Sequence, residues 1–316
     1  DHEVGIRTVT KPGYDASVLR LDNGKFLSIK IDGNPKQCYI NPREGAIGCF
    51  EEACRNVVCT GAKPIGMLDH LQFGNPNDPE IFWTFLESLK GLTDFAKDFE
   101  IPCVGGKVSL YNETSDGPIK PTPVIGVIGL IDKKPLKIQK INSGDSLIMI
   151  GDTKDELGGS EYFEYIHKFI GGKCPAVNFS ESKKNMNSVL DIIENELIKS
   201  VHDCSKGGLT IAISELCMTN QIGCNVSLEK IPGEKLDSDK ILFSESHSRY
   251  LVTFENKNLQ KLEETLKKHG VSYSLIGEFT GDSICFTCDS KPIIDLSVDK
   301  AQKTWFNSLK EMVLHA

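Results

Sequence analysis

The sequence is poor in the features that would place the protein in a membrane or on a nucleic acid. No apolar run approaches the length needed to span a bilayer. The 36 basic residues are outnumbered by 44 acidic ones and are dispersed along the chain, which predicts no nucleic-acid partner. The eleven cysteines are an odd number scattered through apolar segments, so they favour a reduced, cytoplasmic location over a disulfide framework.

The signatures of several common enzyme classes are also missing. The sequence has no Gly-x-Ser-x-Gly elbow, no His-Glu-x-x-His, no Walker lysine motif and no dinucleotide fingerprint. Its seven histidines lie far apart, without metal-ligand spacing. One Cys-x-x-Cys, from Cys285 to Cys288, has no second pair downstream, so packing is favoured over zinc or redox chemistry. Neither a nucleophilic triad nor a metal site is predicted from spacing alone.

A long amphipathic helix is the clearest element that the sequence does contain. Asp78 is a suitable N-cap, Pro79 suits the first helical position, and Pro102 ends the helix. Apolar residues recur at three- and four-residue steps, which predicts one buried stripe: Ile81, Phe82, Phe85, Leu89, Leu92, Phe95 and Phe99.

Two polar, glycine-bearing stretches flank this helix, and we expect both to be loops. Glycines such as Gly105 and Gly106 let backbone N–H groups approach a phosphate closely. A Gly-Gly pair is also a common turn, so both interpretations stay open at this point. The polar residues near the two loops add weight to a ligand site: Asp69, Asn75, Ser109, Asn112 and Glu113.

The rest of the chain predicts a mixture of strands and helices. Asp22-Asn23-Gly24 is a strong hairpin signal. In chain order we expect strands at 16–21 and 26–31, a helix at 43–62, a central strand at 122–130, a strand at 147–150, helices at 161–170 and 189–197, a strand at 198–202, helices at 208–218 and 259–268, and a strand at 273–276.

Several long motifs, in order along nearly the whole chain, resemble one enzyme family. The motifs are Asp69-His-Leu-Gln-Phe-Gly-Asn-Pro76, Gly105-Gly-Lys-Val-Ser-Leu-Tyr-Asn-Glu113, Pro121-Thr-Pro123, Leu157-Gly-Gly-Ser-Glu-Tyr162, His202-Asp-Cys-Ser-Lys-Gly-Gly-Leu209 and Glu245-Ser246. They are similar to those of the large synthetase subunit of phosphoribosylformylglycinamidine synthase. That subunit belongs to the superfamily that includes aminoimidazole ribonucleotide synthetase.

The resemblance implies an α/β (α+β) fold of two domains. An N-type domain at 1–138, with a mixed or antiparallel sheet plus helices, would be followed by a C-type α/β domain at 139–316. The family subunit is about twice this length and contains two tandem copies of such a unit. This sequence matches the second copy and starts without methionine, so we expect the C-terminal half of a longer subunit.

The implied activity is that of an ATP-dependent carbon–nitrogen ligase of purine biosynthesis. The family converts formylglycinamide ribonucleotide, ATP and glutamine-derived ammonia to formylglycinamidine ribonucleotide, ADP and phosphate. An alternative of a different class is a non-catalytic, nucleotide-binding or structural half that stabilises the first copy. A stand-alone synthetase of the same superfamily is a third hypothesis, which the two flanking motifs disfavour.

The resemblance also assigns site residues, one at a time. Asp69 and Gly106 match contacts to ATP, and Ser109 matches a contact to the ribonucleotide substrate. Lys107 stands where the family has an asparagine that helps to hold Mg²⁺, although a charged lysine offers no lone pair to a metal. No catalytic residue is assigned, because the family's proposed catalytic histidine belongs to the first copy. The roles of Asp203 and of Glu245-Ser246-His247 stay open.

The implied partners follow from the same resemblance. They are the first-copy half of the subunit, a glutaminase subunit and a small bridging subunit. We expect the isolated chain to be inactive and to form a homodimer, because N-type domains of this superfamily pair through their sheets.

Overall fold

The N-terminal part of the protein is a sheet covered on one side by helices. The structure is a computed structural model, and it describes residues 7–10 and 13–314. In chain order the elements of this part are β1 (Ser17–Arg20), β2 (Phe26–Asp32), α1 (Pro35–Ile40), α2 (Pro42–Val58), β3 (Lys63–Gln72), α3 (Pro79–Phe99), β4 (Cys103–Ser109), β5 (Glu113–Thr114), β6 (Gly117–Pro118) and β7 (Thr122–Ile131).

The five long strands form one mixed sheet in the order β1-β2-β7-β3-β4. All neighbours are antiparallel except β3 and β4, which run parallel because α3 returns the chain between them. The central strand β7 alternates in burial, with Ile125, Val127 and Ile131 in the core beneath the helices. We call the opposite face of this sheet the outer face. It presents side chains from β2, β3 and β7: Leu27, Ile29, Ile31, Leu68, Val124, Ile128 and Leu130.

Helix α2 lies at the centre of the molecule. All of its residues except Arg43 and Glu44 are buried, and small side chains let it pack between the sheet, α3 and the C-terminal part. Asn41 caps it by accepting a hydrogen bond from the backbone N–H of Glu44 at 3.1 Å. The burial of α2 brings its charged residues into contact with the C-terminal part.

The C-terminal part is an α/β layer built on a second sheet. Its elements are β8 (Ser146–Ile150), α4 (Glu161–His167), α5 (Phe179–Glu194), β9 (Ser200–Asp203), α6 (Gly208–Asn220), β10 (Cys224–Ser227), α7 (Ser238–Phe243), β11 (Tyr250–Phe254), α8 (Leu259–His269), β12 (Tyr273–Phe279), β13 (Ser283–Cys288), β14 (Lys291–Ser297) and α9 (Val298–Leu314). The sheet has seven strands in the order β14-β13-β10-β12-β8-β11-β9.

Strand β8 is buried at every position and lies between β12 and β11 in the sheet. Residues on its two sides belong to two different apolar cores. Ile148 and Ile150 join the core shared with the N-terminal part, whereas Leu147 and Met149 join a second core around α6. No helix among the described residues is both long and apolar enough to cross a membrane. Each of the two parts consists of one sheet with helices packed on it, which confirms the predicted α/β fold.

The predictions of helix α3 and of the first hairpin are confirmed, and each depends on a capping or turn motif in the sequence. Helix α3 begins at Pro79, and the Asp78 carboxylate accepts a hydrogen bond from the N–H of Glu80 at 2.8 Å. The hairpin at Gly24, which has a φ of 82°, is also confirmed. Phe82 was wrongly placed on the buried stripe: it is 44% exposed, because it lies one position off the row that faces the core.

Two predictions of local structure were wrong. The stretches flanking α3 are loops only in part, at 73–78 and 110–112: Gly66 to Gln72 belongs to β3, and Cys103 to Ser109 forms β4. Their ladder hydrogen bonds and the crossover through α3 override the turn tendency of the glycines. Helix α5 begins at Phe179, ten residues before the predicted start, because its first turns bury polar residues such as Ser182 and Asn185.

Candidate functional site

The predicted site residues lie side by side at the carboxyl end of the parallel pair β3 and β4. The register pairs Asp69 with Gly106, His70 with Lys107, and Gln72 with Ser109. Strand β4 is the edge strand, and within the described residues its only strand partner is β3. Its second edge therefore offers backbone N–H groups to a ligand, as an open strand edge does. The structure thus brings all four predicted residues into one short stretch of sheet.

These residues divide between two faces of the sheet. Asp69 and Gly106 pair with the row of buried Ile125, so they lie on the helix side. Lys107 and Ser109 have the opposite parity and lie on the outer-face side. A single phosphate cannot touch all four side-chain positions. A ligand that meets all four has to extend across the end of the strand.

Gly106 makes room for the Asp69 carboxylate. A β-carbon on Gly106 would lie 2.3 Å from Oδ1 of Asp69, which no real contact tolerates. The thiol of Cys103, on the same side of β4, lies 3.7 Å from Oδ2 of Asp69. The glycine therefore has a steric reason that does not depend on turn formation.

Hydrogen bonds join the segment that follows β4 to the segment that follows β3. The side-chain amide of Asn112 donates to the carbonyl of Phe73 at 3.0 Å and to the carbonyl of Ser109 at 2.9 Å. The carboxylate of Glu113 accepts the backbone N–H of Asn75 at 2.8 Å. These hydrogen bonds of Asn112, Glu113 and the backbone of Asn75 hold the two segments together and so fix the position of Ser109. The part of the three residues in a ligand site stays a prediction.

Tyr111 adds a further hydrogen bond between the two segments, and its backbone is in a strained conformation. Its φ is 60°, in the left-handed region that a bulky side chain rarely adopts. The backbone N–H of Tyr111 donates to the carbonyl of Gly74 at 2.9 Å, which holds it there, and its side chain is 61% exposed. Strain of this kind is often found beside binding sites.

The interface between the two parts contains a buried charge cluster that the sequence analysis missed. The guanidinium of Arg55 on α2 contacts Asp203 of β9 at 3.0 Å, together with Glu51, and it donates to the carbonyl of Cys204 at 3.2 Å. Burial raises the pKa of Asp203 to about 6, and Arg55 opposes that rise. Asp203, whose role was open, is therefore paired with an internal cation. The charged residues Glu51, Glu52 and Arg55, which lie among apolar residues in the second half of α2, are the sequence signal that could have found it.

Glu245 is a buried carboxyl group at two helix starts. Its Oε1 accepts the backbone N–H groups of Glu161 and Gly207, each at 2.8 Å. Burial raises the pKa of Glu245 to about 7. Ser160 caps α4 by accepting the N–H of Phe163 at 3.2 Å. The glycine-rich stretch before α4 therefore carries a helix cap, and the Glu161 N–H that an external anion would use is already occupied.

His247 is held as a buried neutral ring. Burial, with Arg55 and Arg249 nearby, lowers the pKa of His247 well below its usual value. Its Nε2 has no hydrogen-bond partner among the described residues, and Gly48 provides the space for the ring. These surroundings give His247, whose role was open, a place in the packing between the two parts.

Lys107 does not fit a place among Mg²⁺ ligands. Its ammonium is exposed, and no ion pair joins it to any residue in the described part of the chain. A cationic side chain without a lone pair repels a metal ion, whereas it attracts phosphate. The donor set at this position of β4 therefore disagrees with a magnesium site.

Two models of known protein domains match this chain, one in each part. Residues 13–131 match the model of the N-terminal domain of AIR synthase related protein, and residues 142–286 match the model of its C-terminal domain. The first matched region contains the whole five-stranded sheet, and the second contains the seven-stranded sheet except for β14 and the end of β13. The chain belongs to the AIR synthase related family.

Curated relatives in this family extend beyond the chain. It is 39% identical to phosphoribosylformylglycinamidine synthase subunit PurL of Thermococcus sibiricus, over 99% of this chain and 43% of that protein. It is 40% identical to the same subunit of Methanocaldococcus jannaschii, over 99% of this chain and 44% of that protein. The chain thus spans less than half the length of these relatives. The resemblance drawn from the motifs is confirmed.

Solved structures in this family share the fold at low identity. Thermotoga maritima PurL complexed with FGAR has a TM-score of 0.79 and 19% identity, covering 92% of this chain and 48% of that one. The same protein complexed with ATP has a TM-score of 0.76 and 19% identity, covering 91% and 46%. PurLQS from T. maritima has a TM-score of 0.73 and 20% identity, covering 90% and 46%.

Proposed function

We propose that this chain is the second-copy half of the synthetase subunit of phosphoribosylformylglycinamidine synthase. In that role it completes an ATP-dependent ligase that converts formylglycinamide ribonucleotide and ammonia to formylglycinamidine ribonucleotide, with release of ADP and phosphate. The observation that carries the proposal is the identity of 39% to the T. sibiricus subunit over 99% of this chain. A domain boundary between residues 138 and 139 belongs to the same proposal.

In this proposal the end of the β3–β4 pair contributes one wall of the active site. Asp69 and the backbone of Gly106 contact ATP on the helix side of the sheet, and Ser109 contacts the ribonucleotide on the outer-face side. The hydrogen bonds of Asn112 hold Ser109 in place before substrate arrives. A wall of this kind promotes phosphoryl transfer by positioning and by electrostatic stabilisation, without a protein nucleophile.

The proposal assigns Mg²⁺ to residues outside this chain. ATP-dependent ligases use the ion to neutralise phosphate charge, but Lys107 is unsuited to hold it. The ammonium of Lys107 supplies a positive charge beside the phosphates instead. The remaining groups of the site belong to the first-copy half of the subunit.

The proposed partners are that first-copy half, a glutaminase subunit that delivers ammonia, and a small bridging subunit, all in the cytoplasm. In isolation, the chain pairs with a second copy through the outer face of its first sheet. On that face Ile31 is 65% exposed and Leu68 is 39% exposed. Apolar side chains presented by a sheet in this way mark an association surface.

A structural, non-catalytic half is the second candidate, and the Arg55 cluster favours it. Arg55 pairs with both Glu51 and Asp203 at the interface of the two parts, so this interface already holds its own cation and anions. Such a cluster joins the two parts rigidly, as a supporting half requires. Under this hypothesis the chain stabilises the first copy without contacting ATP.

An activity assay on the complete subunit separates the two candidates. With formylglycinamide ribonucleotide, ATP and ammonium as substrates, Ser109→Ala is expected to raise the KM for the ribonucleotide at least tenfold. Thr287→Ala, which removes a hydroxyl from a distant strand, is the matched control. If the two variants have the same kinetics as the unmodified subunit, the chain is the structural half.

A further inference from the structure

His202 lies between the two parts of the protein with a carboxylate at each ring nitrogen. Its Nδ1 is 2.7 Å from Oδ1 of Asp15, and its Nε2 is 3.1 Å from Oε2 of Glu215. Asp15 precedes β1, His202 lies on β9, and Glu215 lies on α6. An imidazole donates through both nitrogens only when it is protonated. We propose that His202 is a charged clasp: an imidazolium that joins the N-terminal part to the C-terminal part and releases it on losing its proton.

The contact between His202 and Asp15 is shorter and more extensive than the contact between His202 and Glu215. Oδ1 of Asp15 also accepts the backbone N–H of Asp203 at 3.3 Å, so one carboxylate holds two consecutive residues of β9. Asp15 has a side-chain exposure of 7% and His202 one of 21%. A carboxylate buried to this extent needs a positive partner, because water no longer stabilises its charge. The His202 ring is that partner.

The charge balance around the ring supports a cation at His202. The titratable and charged groups around the cluster are Asp15 before β1, Lys30 on β2, Arg55 and Cys59 on or just after α2, Asp203 on β9, Cys204 after β9, Glu215 on α6, and Tyr14 and Lys140 on the wall of the adjoining cavity. Arg55 already pairs with Asp203 at 3.0 Å. Among the described residues, Asp15 and Glu215 each form an ion pair with His202 and with no lysine or arginine. Although burial opposes a charged ring, the Asp15 charge and hydrogen bond raise the pKa of His202 well above its usual value.

A metal ion is the competing occupant of this cluster. Asp15, His202 and Asp203 are the one group of three in the described part of the chain whose ligand atoms lie within 4.8 Å of one another. A metal would have to replace the proton on a ring nitrogen and sit close to the Arg55 guanidinium. Two neighbouring cations in a buried site repel each other, so the proton is the favoured occupant.

Solvent reaches the clasp through a cavity of about 370 Å³. Tyr14, Asp15, His202 and Glu215 are among its lining residues, and Lys140 lies on its wall. Protons therefore exchange without unfolding. Because the folded-state pKa is raised, the clasp stabilises the protein fully below the ordinary imidazole value of about 6.5. That stabilisation is lost as the pH rises through the higher folded-state pKa.

The test uses the 316-residue chain, with His269 as the matched control. His269 lies 2.9 Å from a single carboxylate, that of Asp191, and joins two helices of the C-terminal part. Nitrogen-15 NMR of the imidazoles is expected to show both His202 nitrogens protonated at pH 7.5. A neutral His202 ring at that pH overturns the proposal, and this measurement needs no variant.

Thermal unfolding from pH 6 to pH 10 provides the second measurement. We expect Tm of the unmodified chain to fall above about pH 6.5, the ordinary imidazole pKa. His202→Gln is expected to flatten that fall, whereas His269→Gln is expected to keep it. Equal pH profiles for the unmodified chain and His202→Gln overturn the clasp. Saturable binding of Zn²⁺ at pH 7 that His202→Gln abolishes also overturns it, because a metal needs a deprotonated nitrogen.

Discussion

The carboxylate of Asp69 lies against the α-carbon of Gly106, so closely that a β-carbon there would stand 2.3 Å from Oδ1. The two residues belong to neighbouring parallel strands and face the helix side of the sheet. Any substituent at Gly106 has to move the carboxylate. This relationship links a glycine in the sequence motif to the position of a charged group in the candidate site.

Replacement of Gly106 tests the role of that contact. Gly106→Ala is expected to displace the flexible Asp69 side chain and to leave the fold intact. If Asp69 meets ATP, the loss corresponds to a charged hydrogen bond, about 1.5 to 3 kcal/mol in binding. Calorimetric titration of ATP into the complete subunit measures it. Gly105→Ala is the control, because its β-carbon would meet only Cδ2 of Leu68, at 3.6 Å. Equal affinities for the two variants contradict the placement of ATP here.

Replacement of Lys107 tests whether its ammonium faces phosphate. Lys107→Asn removes a positive charge and restores the residue usual in the family. We expect weaker ATP binding at low Mg²⁺ and recovery as Mg²⁺ rises, because the ion takes over the neutralising charge. Calorimetry on the complete subunit at several Mg²⁺ concentrations provides the measurement, with Lys120→Asn as a control outside the strand. An affinity that does not depend on the substitution at any Mg²⁺ concentration refutes the phosphate contact.

The strain at Tyr111 predicts a gain in stability on substitution. Asparagine tolerates the left-handed region better than tyrosine does, and the exposed ring has little packing to lose. Tyr111→Asn is therefore expected to raise Tm by about 2 °C in a protein of this size. Tyr111→Phe keeps the strain and should leave Tm unchanged. A Tm for Tyr111→Asn at or below that of Tyr111→Phe shows that the backbone is not strained here.

The exposed outer face predicts self-association of the isolated chain. Light scattering is expected to show a dimer, and Ile31→Lys should convert it to a monomer, because a charge would be buried in the interface. Ile31 is 65% exposed and lies on the outer face, where its strand neighbour across the sheet is Gly126. Ile166→Lys, at an isoleucine that is 55% exposed on α4, is the control and should stay dimeric. A monomer at high concentration for the unmodified chain contradicts the proposal.

The sequence was informative where the signals are local. Helix α3 was predicted because its cap, its proline and its stripe lie within one stretch, and β7 because β-branched residues fill it. The sequence predicts loops at β3 and β4 because their glycines and polar residues resemble those of turns. The pairing that makes them strands is decided by residues more than thirty positions apart.

The buried charges were beyond local reasoning. Arg55 and Asp203 are 148 residues apart in the chain, and only the packing of α2 against β9 brings them together. The same is true of Asp15 and His202, which are 187 residues apart. In contrast, the motifs in the sequence identify the candidate site residues Asp69, Gly106, Lys107 and Ser109. Only the strand register shows that these residues lie on two different faces of the sheet.

The central claim is that this chain supplies one half of an amidine-forming synthetase. The most direct measurement is turnover of formylglycinamide ribonucleotide with ATP and ammonium, for the isolated chain and for the complete subunit under the same conditions. The account predicts equal amounts of ADP, phosphate and formylglycinamidine ribonucleotide from the complete subunit, and no turnover from the isolated chain. Full activity of the isolated chain, or a complete subunit that hydrolyses ATP without forming the amidine, would contradict it.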